Sequence, residues 1–346
     1  MLQQAACLAV RGHGTAEPNP MVGCIITDED GNIIGEGYHE KYGEAHAEIN
    51  ALTMSGDNAI GGTAYVTLEP CNHNGKTPPC SKALLDAGIK RVVIGATDPH
   101  EQASGGAEYL NEQGIEVDVL NDDFCNEIIA PFAHRIKTGL PWVTCKWAQT
   151  MDGNTETPVG DSPWISCKDS QQLVHEERGC VDAIVVGVGT VVADNPSLTV
   201  RDATTHRTPL RVIVDPTLRT PLGSNVLNDD APTLIAHAQG IETSIFSSHN
   251  LLALPSKNGK LDLAPLFRHL VTENDATNVL VEGGAKLFQH IFEQKLANEL
   301  WIFIAPHKST IDPTINMNTL VEPLTSTLID EQACGVDTVC RFAVHS

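Results

Sequence analysis

EPCNHNGKTPPC at residues 69–80, taken together with GEAHAE at 43–48, decides how the first half of this chain is read. A zinc ion takes about four ligands in a tetrahedron, and a catalytic site leaves one position to water. The chemistry therefore asks for three nitrogen or sulfur donors with a proton carrier beside them. His46, Cys71 and Cys80 are the donors this sequence offers, and Glu48 is the carrier. His46 opens a helix-like segment and Glu48 lies two residues on, so imidazole and carboxylate reach one cavity without the carboxylate becoming a ligand. Cys71 and Cys80 each follow a proline, which suits ligands at a strand end and a helix start, and a helix N-terminus favours the metal-binding thiolate. The competing reading, a structural zinc site or ordinary buried residues, needs no Glu48. His13, His73, His100 and His134 lack a partner at metal spacing and are read as structural or solvent-facing.

Outward from this site the sequence alternates strand-like and helix-like runs. MVGCIIT at 21–27, TAYVTLE at 63–69 and RVVIGA at 91–96 read as strands; HAEINALTMS at 46–55, GAEYLNEQG at 106–114 and DDFCNEIIAPFAHRIKTG at 122–139 read as helices. That is the alternation of an α/β layer. Asp28-Glu29-Asp30-Gly31-Asn32 reads as the loop of an opening hairpin that precedes the helices. At Gly139-Leu140-Pro141 a glycine and a proline stop a helix, and WVTCKWA starts a new strand. The expected domains are therefore 1–141 and 142–346.

The second part repeats the alternation with unrelated material. DAIVVGVG at 182–189, LRVIVD at 210–215, PTLIAH at 232–237, NVLVEGG at 278–284 and ELWIFIAP at 299–306 read as strands, and 168–178, 261–271 and 284–295 as amphipathic helices. The stretches near 216–230 and 306–327 read as surface loops. Two strands run into glycine-bearing turns, Val186-Gly187-Val188-Gly189-Thr190 and Val281-Glu282-Gly283-Gly284-Ala285. Such a turn exposes N–H groups to a phosphate, as in dinucleotide sites, although a plain turn or close-packing glycine gives the same string. A full G-x-G-x-x-G is absent, so a Rossmann fingerprint is not supported.

A chain of 346 residues with 41% hydrophobic content has room for two cores. The first residues lack a basic leader region, and no run reaches the roughly 18 apolar residues of a membrane span, so a soluble, cytoplasmic protein is expected. Ten cysteines at irregular spacing suit a reducing compartment better than a disulfide scaffold. The formal net charge of −22 repels polyanions, which argues against a nucleic-acid partner. A small phosphorylated metabolite is still compatible, since one cation and a helix N-terminus hold a single phosphate.

The pair H-x-E and P-C matches the zinc-deaminase signature, but eight residues separate the two cysteines where nucleic-acid editors have two. With Asn19-Pro20-Met21-Val22-Gly23, the strings GEAHAE and EPCNHNGKTPPC closely resemble the deaminase half of the bifunctional riboflavin-biosynthesis deaminase/reductase family. The resemblance implies a cytidine-deaminase-like three-layer fold, Zn2+ on His46, Cys71 and Cys80, Glu48 as proton shuttle, and a pyrimidine with its phosphoribosyl group held by Asn19, His39, Lys76 and Thr77. KWAQTMDG (146–153), SPWIS (162–166), GVGTVVADNPSLTVR (187–201), LRVIVD and LVEGGAKL (280–287) look like the reductase half of the same family. That likeness implies a dihydrofolate-reductase-like α/β fold and NADPH, with cofactor contacts from Ala148, Trp164, Thr190, Asp194, Gly284 and Ala285. For the substrate it implies Ser162, Arg178, Leu198, Arg201 and Glu282, and a homo-oligomer formed through the reductase half. Arg178 and Arg201 are scarce cations in an acidic chain and suit a phosphate as bidentate donors. Lys146 and Glu282 are both candidates to carry the proton in the reduction. Thr150 stands where the family usually has Ser, Asn298 where it has Asp, and the likeness fades after Pro306. The implied activity is hydrolytic deamination of an aminopyrimidine, followed by reduction of its ribosyl side chain to ribityl. A deaminase with an impaired reductase half, and a nucleoside or tRNA deaminase, are the competing readings.

Overall fold

The computed structural model describes residues 1–73, 78–156 and 164–345, and the chain divides into two compact units, Met1–Gly139 and Leu140–Ser346. Lys76, Thr77 and Ser162, all expected at sites, lie outside the described residues.

The first unit runs α1 (Leu2–Ala9), β1 (Gly23–Thr27), β2 (Ile33–Tyr38), α2 (Ala47–Ser55), β3 (Thr63–Leu68), α3 (Cys80–Asp86), β4 (Arg91–Ala96), α4 (Gly106–Glu112), β5 (Glu116–Val119) and α5 (Asp123–Thr138). The sheet order is β2-β1-β3-β4-β5. β1 is antiparallel to both its neighbours, and β3, β4 and β5 are parallel. Asp28 makes the hairpin turn: its Oδ1 accepts the N–H groups of Asp30 and Asn32, and Gly31 takes φ +84°. This hairpin does not precede the helices as the sequence suggested, because α1 comes first. LQQAACLA is too short to hold a helix on propensity, so packing holds it. Ala5, Ala6 and Ala9 are fully buried, and a Cβ on Gly23 would lie 1.9 Å from the Ala5 carbonyl oxygen. Only glycine lets β1 approach α1 that closely. At the other end of the unit, Asp122 caps α5 by accepting from Cys125 N–H, and Gly139 ends it in the left-handed region.

The second unit runs β6 (Trp142–Thr150), α6 (Lys168–Arg178), β7 (Ala183–Gly187), α7 (Val188–Asp194), β8 (Leu210–Val214), β9 (Thr233–Ala238), β10 (Asn250–Leu254), β11 (Ser256–Lys257), β12 (Lys260–Leu261), α8 (Ala264–Asn274), β13 (Asn278–Val281), α9 (Ala285–Glu293), β14 (Glu299–Ala305), α10 (Met317–Val321), β15 (Thr325–Cys334) and β16 (Asp337–His345). One sheet has the order β10-β9-β8-β7-β13-β6-β14-β16-β15, with β11 and β12 paired separately. It is parallel as far as β14, and β16 and β15 close it antiparallel. Both faces are covered, which is why the parallel strands read as unbroken apolar runs. Ala183 and Val185 of β7 join the α8 and α9 side chains Leu266, Phe267, Phe288 and Ile291 on one face. Ile184 and Val186 join Val174 of α6 and Val188 and Val191 of α7 on the other.

Two sequence expectations change here. The stretch 216–230 is not simply a surface loop: Thr220, Ser224 and Val226 are buried, and the fully buried Arg211 donates to Asn228 Oδ1 and to the Asn228 and Ala231 carbonyls. The chain after Pro306 carries α10 and the β15–β16 hairpin, whose β15 residues are mostly exposed and polar and so give no apolar alternation to read. ELWIFIAP is a strand, as the sequence indicates, and lies inside the sheet between β6 and β16. No helix among the described residues is long and apolar enough to cross a membrane.

Candidate active sites

Three elements of the first unit bring the expected zinc donors together. His46 caps α2, Cys71 follows the end of β3, and Cys80 is the first residue of α3. Among the described residues theirs is the one group of three such donors whose ligand atoms converge, all within 4.8 Å of one another. His46 Nδ1 lies 3.3 Å from Cys80 Sγ and 3.6 Å from Cys71 Sγ. The first N–H of α3, that of Cys80, points at Cys71 Sγ at 3.4 Å. The helix start therefore favours the thiolate on Cys71, not on Cys80 as its position suggested. The Cys80 thiol, the His46 ring and this N–H all hold Cys71 well below the ordinary thiol range. A cluster of two sulfurs and an imidazole nitrogen, one sulfur already disposed to ionise, fits a zinc ion and its tetrahedral preference.

Glu48, in the first turn of α2, is 3% exposed, and burial pushes its carboxyl up to about 7. Cys24 of β1 lies close enough to feel that carboxylate and is itself pushed up, first by burial. His39 and Asn19 complete the group. His39 Nδ1 lies 3.0 Å from the Ala45 carbonyl, which only accepts, so Nδ1 carries the proton and Nε2 is the acceptor for Asn19 Nδ2 at 3.2 Å. The His39 ring meets that of His46 edge-on at 5.3 Å.

Glu69, which the sequence reading passed over, fixes the strand end that bears Cys71. Its carboxylate accepts the N–H groups of Asp98, Gly105 and Ala107. A Cβ on Gly106 would lie 1.8 Å from the Pro70 carbonyl oxygen, so α4 starts in contact with the residue before Cys71.

In the second unit the two glycine-bearing turns lie at the C-terminal ends of the neighbouring parallel strands β7 and β13, where open α/β sheets bind ligands. Gly283 is a packing glycine, since a Cβ there would lie 2.7 Å from Leu287 Cδ2. Gly189 and Gly284 are open: nothing lies within 4 Å of a Cβ on Gly189, and Thr190 Oγ1 at 3.7 Å is the nearest atom to one on Gly284. Ala148 is half-buried on β6, and Asp194 and Trp164 are exposed, Trp164 at 56%.

Beside these turns Glu282 binds Arg178 through both oxygens, at 2.6 and 2.8 Å, with Lys146 Nζ 4.0 Å away. Burial would raise Glu282, but the Arg178 charge and hydrogen bonds, then Lys146 and His175, outweigh it and hold the carboxyl at about 2. Lys146 is half-buried with its Nζ 5.2 Å from the Phe303 ring centroid, and loss of solvent lowers it from the ordinary lysine value. Arg178 and Arg201 were expected as a pair of phosphate donors; both lie near the His175 ring, but their side chains are engaged differently. The Arg178 fork is closed on Glu282, and Arg201 is exposed. The Leu198 side chain, expected at the substrate, is 4% exposed in the core and leaves only its backbone, at φ +53°, to a ligand. The two departures keep their hydrogen bonds: Asn298 Oδ1 accepts Val143 N–H, and the Thr150 hydroxyl bonds Asp152 and Asn154 across its turn.

These features define a zinc deaminase unit of cytidine-deaminase type joined to a reductase-type α/β unit. Residues 1–96 match the family described as cytidine and deoxycytidylate deaminase zinc-binding region, and residues 141–308 the RibD C-terminal domain. The riboflavin biosynthesis protein RibD of Aquifex aeolicus is 39% identical over 319 residues, covering 88% of this chain and 86% of its own. That of Escherichia coli is 37% identical, with the same coverage. A Thermotoga maritima structure named diaminohydroxyphosphoribosylaminopyrimidine deaminase/5-amino-6-(5-phosphoribosylamino)uracil reductase superposes with a TM-score of 0.85 at 30% identity, over 99% of this chain and 97% of that one. RibD of Acinetobacter baumannii superposes with a TM-score of 0.82 at 32% identity, over 100% and 98%. The chain belongs to the RibD family of bifunctional riboflavin-biosynthesis deaminases/reductases.

Proposed function

We propose that this chain deaminates 2,5-diamino-6-(5-phosphoribosylamino)pyrimidin-4-one in its first unit and reduces the ribosyl side chain of the product to ribityl in its second, using NADPH. The observation that carries the first step is the convergence of His46, Cys71 and Cys80 beside a buried Glu48. His46, Cys71 and Cys80 would hold a zinc ion, which would supply the Lewis acid that makes water nucleophilic near neutral pH. Glu48 would carry a proton from the attacking water to the ring and the departing ammonia, a double role suited to a carboxyl raised toward neutrality by burial. Asn19 and His39 orient the pyrimidine, and Lys76 and Thr77 hold its phosphoribosyl group. A Glu48→Gln protein that kept its zinc yet released ammonia from this substrate at the wild-type rate would overturn the shuttle role.

In the second unit the open glycines 189 and 284 fit a dinucleotide, with Ala148, Trp164, Thr190, Asp194, Gly284 and Ala285 as its contacts. NADPH supplies the hydride. Glu282 is held ionised by Arg178, which leaves Lys146 as the proton carrier to the ribose ring oxygen and Glu282 as the group that orients it. With Arg178 committed to that carboxylate, Arg201 is the cation for the substrate phosphate; Ser162 and the Leu198 backbone complete the contacts. NADPH oxidation driven by the deaminated intermediate tests this half, and its absence at every enzyme concentration would favour the impaired-reductase reading. A cytoplasmic setting suits a chain with ten cysteines, two of which serve here as zinc donors. The exposed edge strand β15 is where a homo-oligomer through the second unit would pair, which light scattering tests.

A further inference from the structure

The segment Asn195–Asp202 carries three non-glycine residues at positive φ: Asn195 at +41°, Leu198 at +53° and Asp202 at +54°. Such backbone persists only where its surroundings impose it. Three side chains one turn apart on α6 reach this segment: Gln172 Nε2 donates to the Asp202 carbonyl at 2.8 Å, Arg178 Nη1 to the Thr199 carbonyl at 3.4 Å, and His175 Nδ1 accepts the Arg201 N–H at 3.2 Å. His175 is the acceptor among the three, and its bond is made to the residue whose side chain faces the substrate phosphate in the reading above.

We propose that His175 is a positioning residue for the reductase step: its neutral ring holds the Arg201 backbone, and its protonation releases that hold. The claim rests on Arg201 as the phosphate contact. A ring that accepts at Nδ1 carries its proton on Nε2, and a second proton would remove the acceptor. The groups facing the ring are Arg178 on its own helix, Arg201 and Asp202 on the segment it holds, and Glu282 at the end of β13. Burial first, then the two arginines, lower His175 from 6.5, and Glu282 and Asp202 oppose them, so the ring is neutral at pH 7 and charges only in acid. Charging it costs one hydrogen bond and sets a third cation beside two arginines. Arg201 then loses its fixed position while Lys146 and Glu282 keep theirs, so the Michaelis constant moves and the turnover does not.

The test measures kcat and KM for the deaminated intermediate by NADPH oxidation with the full chain, from neutral pH into acid. The proteins are wild type, His175→Asn, His175→Ala and Arg201→Ala. Asparagine places an oxygen acceptor where Nδ1 stands but does not titrate. His175→Ala is expected to raise KM about three- to tenfold with kcat retained, the effect of one lost hydrogen bond. His175→Asn is expected to restore KM and to lack the extra rise that wild type shows below pH 6.5. The substrate phosphate titrates near pH 6 in every protein, so the readout is the difference between wild type and His175→Asn. An identical acid rise in both, or an unchanged KM in His175→Ala, overturns the proposal. If His175→Ala does not fold, the His175→Asn profile decides alone. An unchanged KM in Arg201→Ala overturns instead the reading of Arg201 on which it rests, whereas a raised KM there beside an unaffected His175→Ala sinks the His175 role only.

Discussion

Arg178 and Glu282 form a two-point ion pair across 104 residues of chain, each side chain at most 13% exposed. Removing one partner of a buried pair strands the other charge, which costs about 3–5 kcal/mol. Glu282→Gln strands two cations, Arg178 and Lys146, so the second unit is expected to lose stability on that scale in urea unfolding. The pH dependence follows from the sign of the shift. Glu282 is depressed from 4.5 to about 2, so its contribution is complete above pH 4.5 and is lost as pH falls toward 2. Wild type and Glu282→Gln should therefore converge in stability through that window. A constant difference there would contradict an ionised Glu282.

Gly106 touches the residue before a zinc donor. A methyl at this position would meet the Pro70 carbonyl at 1.8 Å, and Glu69 pins the same corner through three N–H groups. Gly106→Ala must therefore displace either α4 or the Pro70-Cys71 turn. Groups that orient ligands typically matter about 10–100-fold in metal affinity, and a zinc affinity weakened on that scale is expected, measured by competition with a chromogenic chelator. Affinity equal to wild type would mean that α4 alone gives way.

Much of this was legible because the chemistry needs unlike residues in a tight pattern. H-x-E followed by two prolyl cysteines has few other uses, and the apolar strands of both sheets announce themselves by burial on two faces. What escaped had no such signature. α1 depends on Gly23, eighteen positions beyond the Ala5 it touches, and β15 is an exposed polar edge whose pairing is written in backbone hydrogen bonds. The Arg178–Glu282 pair joins positions 104 apart, so sequence offered two lone charges and a phosphate seemed the natural partner for the arginine. His175 was visible only as the H of an H-x-x-R on a helix face, and its role needs the strained segment it holds.

Cys71→Ser and Cys80→Ser should each strip the first unit of zinc, because a bound zinc ion deprotonates a thiol outright while a serine hydroxyl is a far poorer ligand. Elemental analysis is expected to fall from about one zinc per chain to near none, with ammonia release lost in parallel. The unit should also melt at a lower temperature, since a ligand that binds only the folded state stabilises it by mass action. Retained zinc in either variant would remove that cysteine from the ligand set.

Lys146 and Glu282 were equal candidates for the proton in the reduction, and their surroundings separate them. A carboxyl held at about 2 has no proton to give at neutral pH, while burial lowers the Lys146 ammonium toward the range in which it gives one up. Lys146→Met should therefore cut kcat of NADPH oxidation by about 10²–10⁴, the usual worth of a positioned acid, while NADPH binding by fluorescence titration is retained. Lys146→Arg should not rescue it, because a guanidinium keeps its proton above pH of about 12. In wild type the acid must be charged to act, so kcat should hold below the lowered lysine value and fall as pH rises through it, before 10.5 is reached. A basic limb that survives in Lys146→Met would assign the proton to another group.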